Sequence, residues 1–233
     1  MSEFLKTSSV WGVALTICMF ALGTFLNRKL KAAWCNPLLL GSIFVILFLS
    51  LGKIPYAEYK ESCSTLNYFL FPATVSLAVP LYEQWDLLRK NVLAILVGIL
   101  TGVVTSICCI LMIALAFHLT PKIAVSLLPK SVTTAIGVDV STELGGIPAL
   151  TTAVIILTGI VGNLLAVSLC KFLRITEPVA KGIAIGTSAH AIGTSRALEM
   201  GDVEGAMSSL SIAVAGVLTA VLCPIAASLL GVW

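Results

Sequence analysis

Long stretches without a charged residue constrain the fold of this chain more than any other feature. Five of them are long enough to cross a bilayer as an α-helix, which needs about 20 apolar residues. Only 11% of the 233 residues are charged, against about 25% in an ordinary soluble domain. This excludes a soluble enzyme, a disordered chain and a nucleic-acid-binding protein, and it predicts an integral membrane protein. The five stretches, and a sixth at the C-terminus, are Thr7–Asn27, Ala32–Gly52, Ser62–Tyr82, Asn91–Phe117, Leu144–Cys170 and Gly205–Trp233.

Cationic residues around the first stretch predict its orientation. Arg28, Lys29 and Lys31 follow it, while only Lys6 precedes it. The positive-inside rule therefore places the N-terminus outside and makes this an uncleaved first span rather than a signal peptide. The seven cysteines form no CxxC motif and are expected to be small buried hydrophobic residues.

Two segments, Pro121–Gly146 and Glu177–Asp202, do not have the pattern of a simple span. Each begins with a short apolar stretch and ends with a semi-polar helical stretch that carries an acid. Helix-breaking and hydroxyl residues interrupt them, at 129–131 in the first and at 186–188 in the second. The backbone groups freed by such breaks must be satisfied by protein or by water in a cavity.

The two broken segments resemble each other. Thr133–Gly137 matches Ala189–Gly193 at an offset of 56 residues, and the helices that follow also align, with Gly159 meeting Gly216 after one inserted residue. The repeated unit is thus a broken segment followed by a membrane helix. An alternative is an ancient duplication that serves packing only.

The charge pattern predicts that the second unit is inverted. If each broken segment is a re-entrant hairpin, one unit crosses the membrane an odd number of times, and Lys171 and Arg174 then fall inside, as the positive-inside rule requires. Inverted pairs of broken helices are typical of transporters, whose substrate site lies near the midplane where the breaks meet.

Ionisable residues within these segments are functional candidates, because charge is expensive inside a membrane. Lys130 lies at the first break and His190 just after the second. Half-helix N-termini at Ser131 and Thr187 would favour an anion, so we predict a site for a small carboxylate. The predicted binding residues are Lys130, Ser131, Thr133, Thr134, Thr187, Ser188, His190 and Thr194, and the candidates for proton coupling are Asp139, Glu143 and Glu199.

Structural roles are open for several of these residues. Lys130 would reach a lipid headgroup if the break lay near the surface, and His190 would only bond its neighbours. Arg196 and Glu199, three residues apart, suit a structural ion pair. Three carboxylates near segment ends are also open to a role as solvated caps: Glu143, Glu199 and Asp202.

Other motifs carry less information. Pro72 and Pro80 predict a kink in the third stretch. This stretch either lines a transport pathway or is a kinked helix that serves packing only. Gly98 and Gly102 form a GxxxG motif that permits close helix contact. The sequence has no HExxH, GxSxG or P-loop motif, so we predict neither an enzyme nor a cofactor or metal.

Three runs, Phe71–Tyr82, Ser126–Gly137 and Gly182–Glu199, resemble the LrgB/CidB family of bacterial membrane proteins, and the resemblance covers most of the chain. It implies a holin/antiholin-like regulator of murein hydrolase export and autolysis that acts with a small membrane protein of the LrgA/CidA type. It also implies transport, because a plastid relative is a glycolate/glycerate translocator and bacterial members have been linked to pyruvate uptake.

We therefore predict an all-α polytopic protein of the bacterial inner membrane. It has about six full transmembrane helices and two re-entrant segments that form an inverted repeat. Residues 1–233 form one integral membrane domain, with N-terminal helices in 1–118 and the duplicated unit in 119–233. The favoured function is transport of a small monocarboxylate such as pyruvate or glycolate, and the alternative is the antiholin-like regulator. The expected partners are the carboxylate substrate, the lipid bilayer and the small membrane protein of the LrgA/CidA type. A homo-oligomer is an open alternative, and no nucleic-acid partner is expected.

Overall fold

A computed structural model describes residues 10–30 and 37–231 of the chain. These residues contain eleven α-helices and no β-strand, which confirms the all-α prediction. In chain order the helices are α1 (Trp11–Leu30), α2 (Pro37–Leu51), α3 (Tyr56–Ser62), α4 (Ser64–Ser76), α5 (Ala78–Glu83), α6 (Trp85–Ala116), α7 (Pro121–Leu127), α8 (Thr134–Glu143), α9 (Pro148–Phe172), α10 (Pro178–Met200) and α11 (Asp202–Leu229).

Four helices, α1, α6, α9 and α11, are long and apolar enough to cross a membrane. They coincide with four of the predicted stretches and support a multi-pass membrane protein. Helix α2 is apolar but has only 15 residues, and residues 32–36 of that predicted stretch lie outside the described ranges, as do Lys6, Lys31 and Cys35. The count of six full spans stays a prediction.

The chain divides into two compact units, Met1–Ser76 and Leu77–Trp233. In the first, α1 packs against α2, and the Thr16 hydroxyl lies 2.8 Å from the Tyr59 hydroxyl of α3. The boundary falls within the predicted third stretch, which is two helices, α4 and α5, rather than one. The prediction of a single membrane domain stays a prediction, and the remaining description concerns the second unit.

The first broken segment is a helical hairpin. Helix α7 and helix α8 are separated by residues 128–133, and Gly137 of α8 lies close to the Pro129 carbonyl. Farther from this tip, Thr151 Oγ1 of α9 lies 2.9 Å from the Ser126 carbonyl of α7 and 2.7 Å from Ser141 Oγ of α8. Because the two helices approach each other both at the tip and away from it, they run in opposite directions.

The second broken segment is also a hairpin, within α10. His190 has non-helical torsion angles, φ 42° and ψ −142°. It separates an entry arm (residues 178–189) from a return arm (residues 191–200). Contacts with α11 give the direction of each arm. Gly182 and Gly186 of the entry arm approach Glu204 and Ser208, whereas Thr194 and Leu198 of the return arm approach Ser208 and Gly205. The entry arm therefore runs parallel to α11 and the return arm antiparallel to it.

Each hairpin tip packs against the long helix that follows the other hairpin. A methyl group on Gly159 of α9 would lie 2.7 Å from the His190 ring and 2.9 Å from Ile192 Cδ1. A methyl group on Gly216 of α11 would lie 2.8 Å from Ile136 Cδ1. Both glycines are near the middle of their helices, so each tip lies beside the middle of a long helix.

Candidate functional site

One face of α6 touches both broken segments. Ser106 Oγ lies 3.0 Å from Ser131 Oγ in the first break. A methyl group on Gly102 would lie 3.1 Å from Thr187 Oγ1 in the entry arm of the second hairpin. Residues four apart are neighbours on a helix face, so Ser131 and Thr187 lie beside successive turns of the same helix. The GxxxG motif of α6 is thus used for close contact, since Gly98 faces Ile183 one turn earlier.

Lys130 supplies a cation at this junction. Its residue is half-buried, and Nζ donates a hydrogen bond to Ser131 Oγ at 3.0 Å. Within residues 10–30 and 37–231, Lys130 takes part in no ion pair, so it has no carboxylate partner there. An ammonium group beside two serine hydroxyls, those of Ser131 and Ser106, provides the donors that a carboxylate requires.

His190 is buried and held at the second tip. Its Nε2 lies 3.0 Å from the Ile155 carbonyl oxygen, and its own carbonyl accepts a bond from Thr194 Oγ1 at 3.0 Å. Nε2 is therefore the donor, and in the neutral ring Nδ1 is left as an acceptor. Nε2 therefore has the structural role that was the alternative for His190, since it bonds a neighbouring carbonyl. The Ile155 side chain also packs on Gly137 of the first hairpin.

Thr187 and Ser188 do not lie at a break. Both are inside the helical entry arm, where their hydroxyls donate to the carbonyls of Ile183 at 2.7 Å and Ala184 at 2.6 Å. Thr187 is buried, whereas Ser188 is exposed. The predicted break at 186–188 is therefore wrong, and the chain reverses at His190 instead.

The predicted starts of the half-helices are wrong for the same reason. Helix α8 begins at Thr134 rather than Ser131, with the half-buried Thr133 as the residue before it. The return arm begins after His190 rather than at Thr187. Thr134 and His190 are equivalent at the offset of 56 residues, so the two chain reversals lie at corresponding places in the repeat.

The predicted proton-coupling carboxylates are all exposed: Asp139, Glu143 and Glu199. Glu199 forms an ion pair with Arg196, as the structural alternative predicted. Within the described ranges none of the three pairs with Lys130. Thr194, in contrast, is buried, with Oγ1 2.7 Å from Ser208 Oγ of α11.

Sequence reasoning missed two polar residues that hold the site. Ser106 was not singled out because α6 has the pattern of an ordinary apolar span. Asn163 of α9 is buried, and its Nδ2 donates to the Ile192 carbonyl at 2.7 Å and to Ser195 Oγ at 3.1 Å. It satisfies backbone next to the second tip. An amide in the middle of an uncharged apolar run was the signal that would have found it.

The base of the first hairpin is joined by buried hydroxyls. Ser126 Oγ accepts a bond from the Ile147 backbone N–H at 2.7 Å and donates one to the Lys122 carbonyl at 2.7 Å. Ser126 and Ser141, on the two helices of the hairpin, are both completely buried. This arrangement fixes α7 and α8 to the start of α9.

Replacing Ser126 with alanine should destabilise the protein by about 1–3 kcal/mol, because it leaves the Ile147 N–H buried without its acceptor. Ser228→Ala is the matched control, since Ser228 is exposed and bonds only within its own helix. Denaturant or thermal unfolding in detergent micelles measures both variants. Equal stabilities of the two would contradict the proposed role of the hydroxyl network.

Comparison with known proteins identifies the family. The model of the LrgB-like family matches residues 16–229, which include both hairpins and the helix face that joins them. This chain belongs to the LrgB-like family. Two similar relatives are named antiholin-like protein LrgB. The protein from Bacillus subtilis (strain 168) is 35% identical over 225 residues, covering 96% of this chain and 97% of the relative. The protein from Bacillus cereus (strain B4264) is 35% identical over 215 residues, covering 92% and 94%. No solved structure matches the chain.

Proposed function

We propose that this LrgB-family chain is an antiholin-like membrane protein. The support is the name carried by its relatives, which it matches over nearly their whole length. In this role the protein would restrain murein hydrolase export and autolysis, together with a small membrane protein of the LrgA/CidA type. A bacterial inner membrane is the corresponding location.

Complementation tests this role. A bacterial strain that lacks its own LrgB-family protein is expected to lyse faster in the presence of a non-ionic detergent, and expression of this chain should slow lysis. The lysis rate is measured with and without the small partner. An unchanged rate in both conditions, with the protein shown to be in the membrane, would contradict the antiholin-like role.

We propose, as a second candidate, that the molecular activity is movement of a small monocarboxylate. One observation favours it: the first break, with Lys130 and Ser131, and the end of the entry arm, with Thr187, lie beside adjacent turns of α6. A cationic side chain and two serine hydroxyls, those of Ser131 and Ser106, thereby lie next to the end of the second hairpin's entry arm. Packing alone does not require a half-buried lysine without a carboxylate partner among the described residues.

The reciprocal packing of the tips supports an inverted arrangement of the two units. Ile136 and Ile192 are equivalent at the offset of 56 residues, and Gly159 and Gly216 are equivalent after the inserted residue. Ile136 meets Gly216 while Ile192 meets Gly159, so equivalent residues exchange equivalent contacts, as a pseudo-two-fold axis requires. If α9 crosses the membrane between the two hairpin bases, the hairpins enter from opposite sides, which is the transporter arrangement.

Uptake into proteoliposomes tests the second candidate. Labelled pyruvate and glycolate are offered with and without a pH gradient, and with and without the LrgA/CidA-type partner. Saturable uptake that requires the protein is the expected result. Uptake equal to that of protein-free liposomes under all four conditions would reject transport of these acids and leave the antiholin-like role as the only proposal.

A further inference from the structure

The imidazole ring of His190 has one nitrogen atom that the fold does not use. Two ionisable side chains other than cysteine are buried among the described residues, those of Glu204 and His190. Glu204, at the start of α11, pairs with Lys181 of the entry arm at 3.4 Å, at the base of the second hairpin. His190, at the tip, uses Nε2 to bond the Ile155 carbonyl at 3.0 Å. Its Nδ1 atom makes no hydrogen bond with any part of the chain that the structure describes.

The Nδ1 atom is accessible from outside the hairpin. Within residues 10–30 and 37–231, no fully buried side-chain nitrogen or oxygen atom lacks a hydrogen-bond partner. Nδ1 lacks one, so it belongs to the 3% of His190 that is exposed. Gly159 of α9 covers another edge of the ring, because a methyl group there would lie 2.7 Å from Cε1 and 2.9 Å from Nε2. The ring is therefore held through Nε2 and leaves Nδ1 open to a ligand.

The position of the ring proton determines what Nδ1 can bind. Because Nε2 faces a carbonyl oxygen, it carries the proton, and Nδ1 of the neutral ring can only accept a hydrogen bond. A hydroxyl group has a hydrogen to donate, whereas an oxo group and a carboxylate have none. At the first break, in contrast, Lys130, Ser131 and Ser106 provide donors. A ligand that satisfies both tips therefore carries a carboxylate and a hydroxyl group.

We propose that His190 Nδ1 accepts a hydrogen bond from the hydroxyl group of a hydroxy acid, and that this bond distinguishes a hydroxy acid from the corresponding oxo acid. With an oxo group at that place, two acceptors would face each other and neither would be paired. The lost bond is expected to weaken binding of the oxo acid by roughly 10–100-fold. The role of this bond in selecting a transported acid rests on the second candidate function, whereas the bond itself does not.

The ¹⁵N NMR spectrum of the imidazole measures the proposed bond directly. The chain has two histidines, and the other, His118, is exposed with a φ of 49°, which asparagine tolerates. His118→Asn therefore leaves His190 as the only labelled histidine. The protein is held in lipid nanodiscs at about pH 8, above the ordinary imidazole pKa of about 6.5. Racemic lactate and pyruvate, which differ only in the hydroxyl or oxo group, are added in separate titrations.

Lactate should move the Nδ1 resonance towards that of a hydrogen-bonded acceptor, and pyruvate should leave it unchanged. The Nε2 resonance should be that of a protonated nitrogen throughout. No response to lactate, or an equal response to both acids, would overturn the proposal. A spectrum in which Nδ1 carries the proton before any acid is added would also overturn it.

A glutamine variant separates the two nitrogen atoms of His190. The amide of His190→Gln reaches the place of Nε2, so it can keep the bond to the Ile155 carbonyl while Nδ1 is removed. Uptake of labelled lactate into proteoliposomes is measured with unlabelled lactate or pyruvate as competitor. Unmodified protein should need roughly 10–100-fold more pyruvate than lactate for half-inhibition, and His190→Gln should need similar amounts of the two. Thr142→Val is the control, because Thr142 is exposed and bonds only within its own helix.

The two measurements distinguish this proposal from the proposed function. A response of Nδ1 to lactate alone, without uptake of either acid, would support the hydroxyl site and reject transport of these acids. Uptake without preference for lactate, with Nδ1 unchanged, would support transport and reject the hydroxyl site. A preference for lactate that His190→Gln retains would assign the discrimination to another residue. If His190→Gln does not fold, the NMR titrations of the histidine-containing protein decide the question.

Discussion

Replacing Lys130 with alanine should lower saturable uptake of pyruvate or glycolate by roughly 10–100-fold at substrate concentrations below saturation. A hydrogen bond to a charged group contributes about 1.5–3 kcal/mol, and about 1.4 kcal/mol corresponds to a factor of ten. Lys130 is the cation at the point where α6 joins the two hairpins. Its loss therefore removes the charge that would neutralise the carboxylate.

Lys122→Ala is the control for this experiment. Lys122 is an exposed lysine on α7, eight residues earlier in the sequence, and its replacement should leave uptake unchanged. Lys130→Arg keeps the charge and should retain part of the activity. If Lys130→Ala and His190→Ala both transported as well as Lys122→Ala, the proposed site would be wrong, even if the protein proved to be a transporter.

Replacing Gly186 with alanine should strongly destabilise the packing of the second hairpin against α11. The added methyl group would collide with the Ser208 carbonyl oxygen and would lie 2.7 Å from Ser211 Cβ. Overpacking of this kind costs about 1–3 kcal/mol, and the obstacle includes backbone that cannot rotate away. We expect the apparent melting temperature in detergent to fall by roughly 2–12 °C.

Gly98→Ala provides the matched comparison on α6. A methyl group there would meet only the Ile183 side chain, at an ordinary contact distance of 3.4 Å. It should therefore change the melting temperature little. A similar melting temperature for both variants would show that the entry arm is not packed closely against α11, and would contradict the parallel alignment on which the hairpin description depends.

The sequence predicted the long apolar helices correctly, because burial in lipid would by itself determine their pattern. Uncharged runs of more than 20 residues mark α6, α9 and α11 because every backbone polar group of a span must bond within its own helix. In the predicted third stretch, the prolines indicated a kink. Pro72 and Pro80 now lie in different helices, with the chain interrupted at Leu77.

The position of the second reversal was beyond the sequence pattern. Gly186, Thr187 and Ser188 are weak helix formers, yet they stay helical because the glycine lies against α11 and the hydroxyls bond within their own helix. His190 adopts a positive φ because contacts with α9 hold its ring. Such contacts come from residues 35 positions away in the sequence, as the bond to Ile155 illustrates, and no local propensity encodes them.

The same limit explains why the sequence does not predict which acid is buried. Glu204 lies just beyond the second broken segment and was not a candidate, because only the approach of the entry arm buries it beside Lys181. Asp139 and Glu143, which the sequence did predict as functional, lie on an exposed side of α8. Which of several carboxylates becomes buried depends on tertiary packing, and residue type and spacing do not determine it.

The unlike bases of the two hairpins have a consequence for sidedness. One base is fixed by neutral hydroxyls and the other by Lys181 and Glu204. With the two units inverted as proposed, these bases face opposite compartments. A protein built from two copies of one repeat would thereby present a differently held hairpin to each side of its membrane.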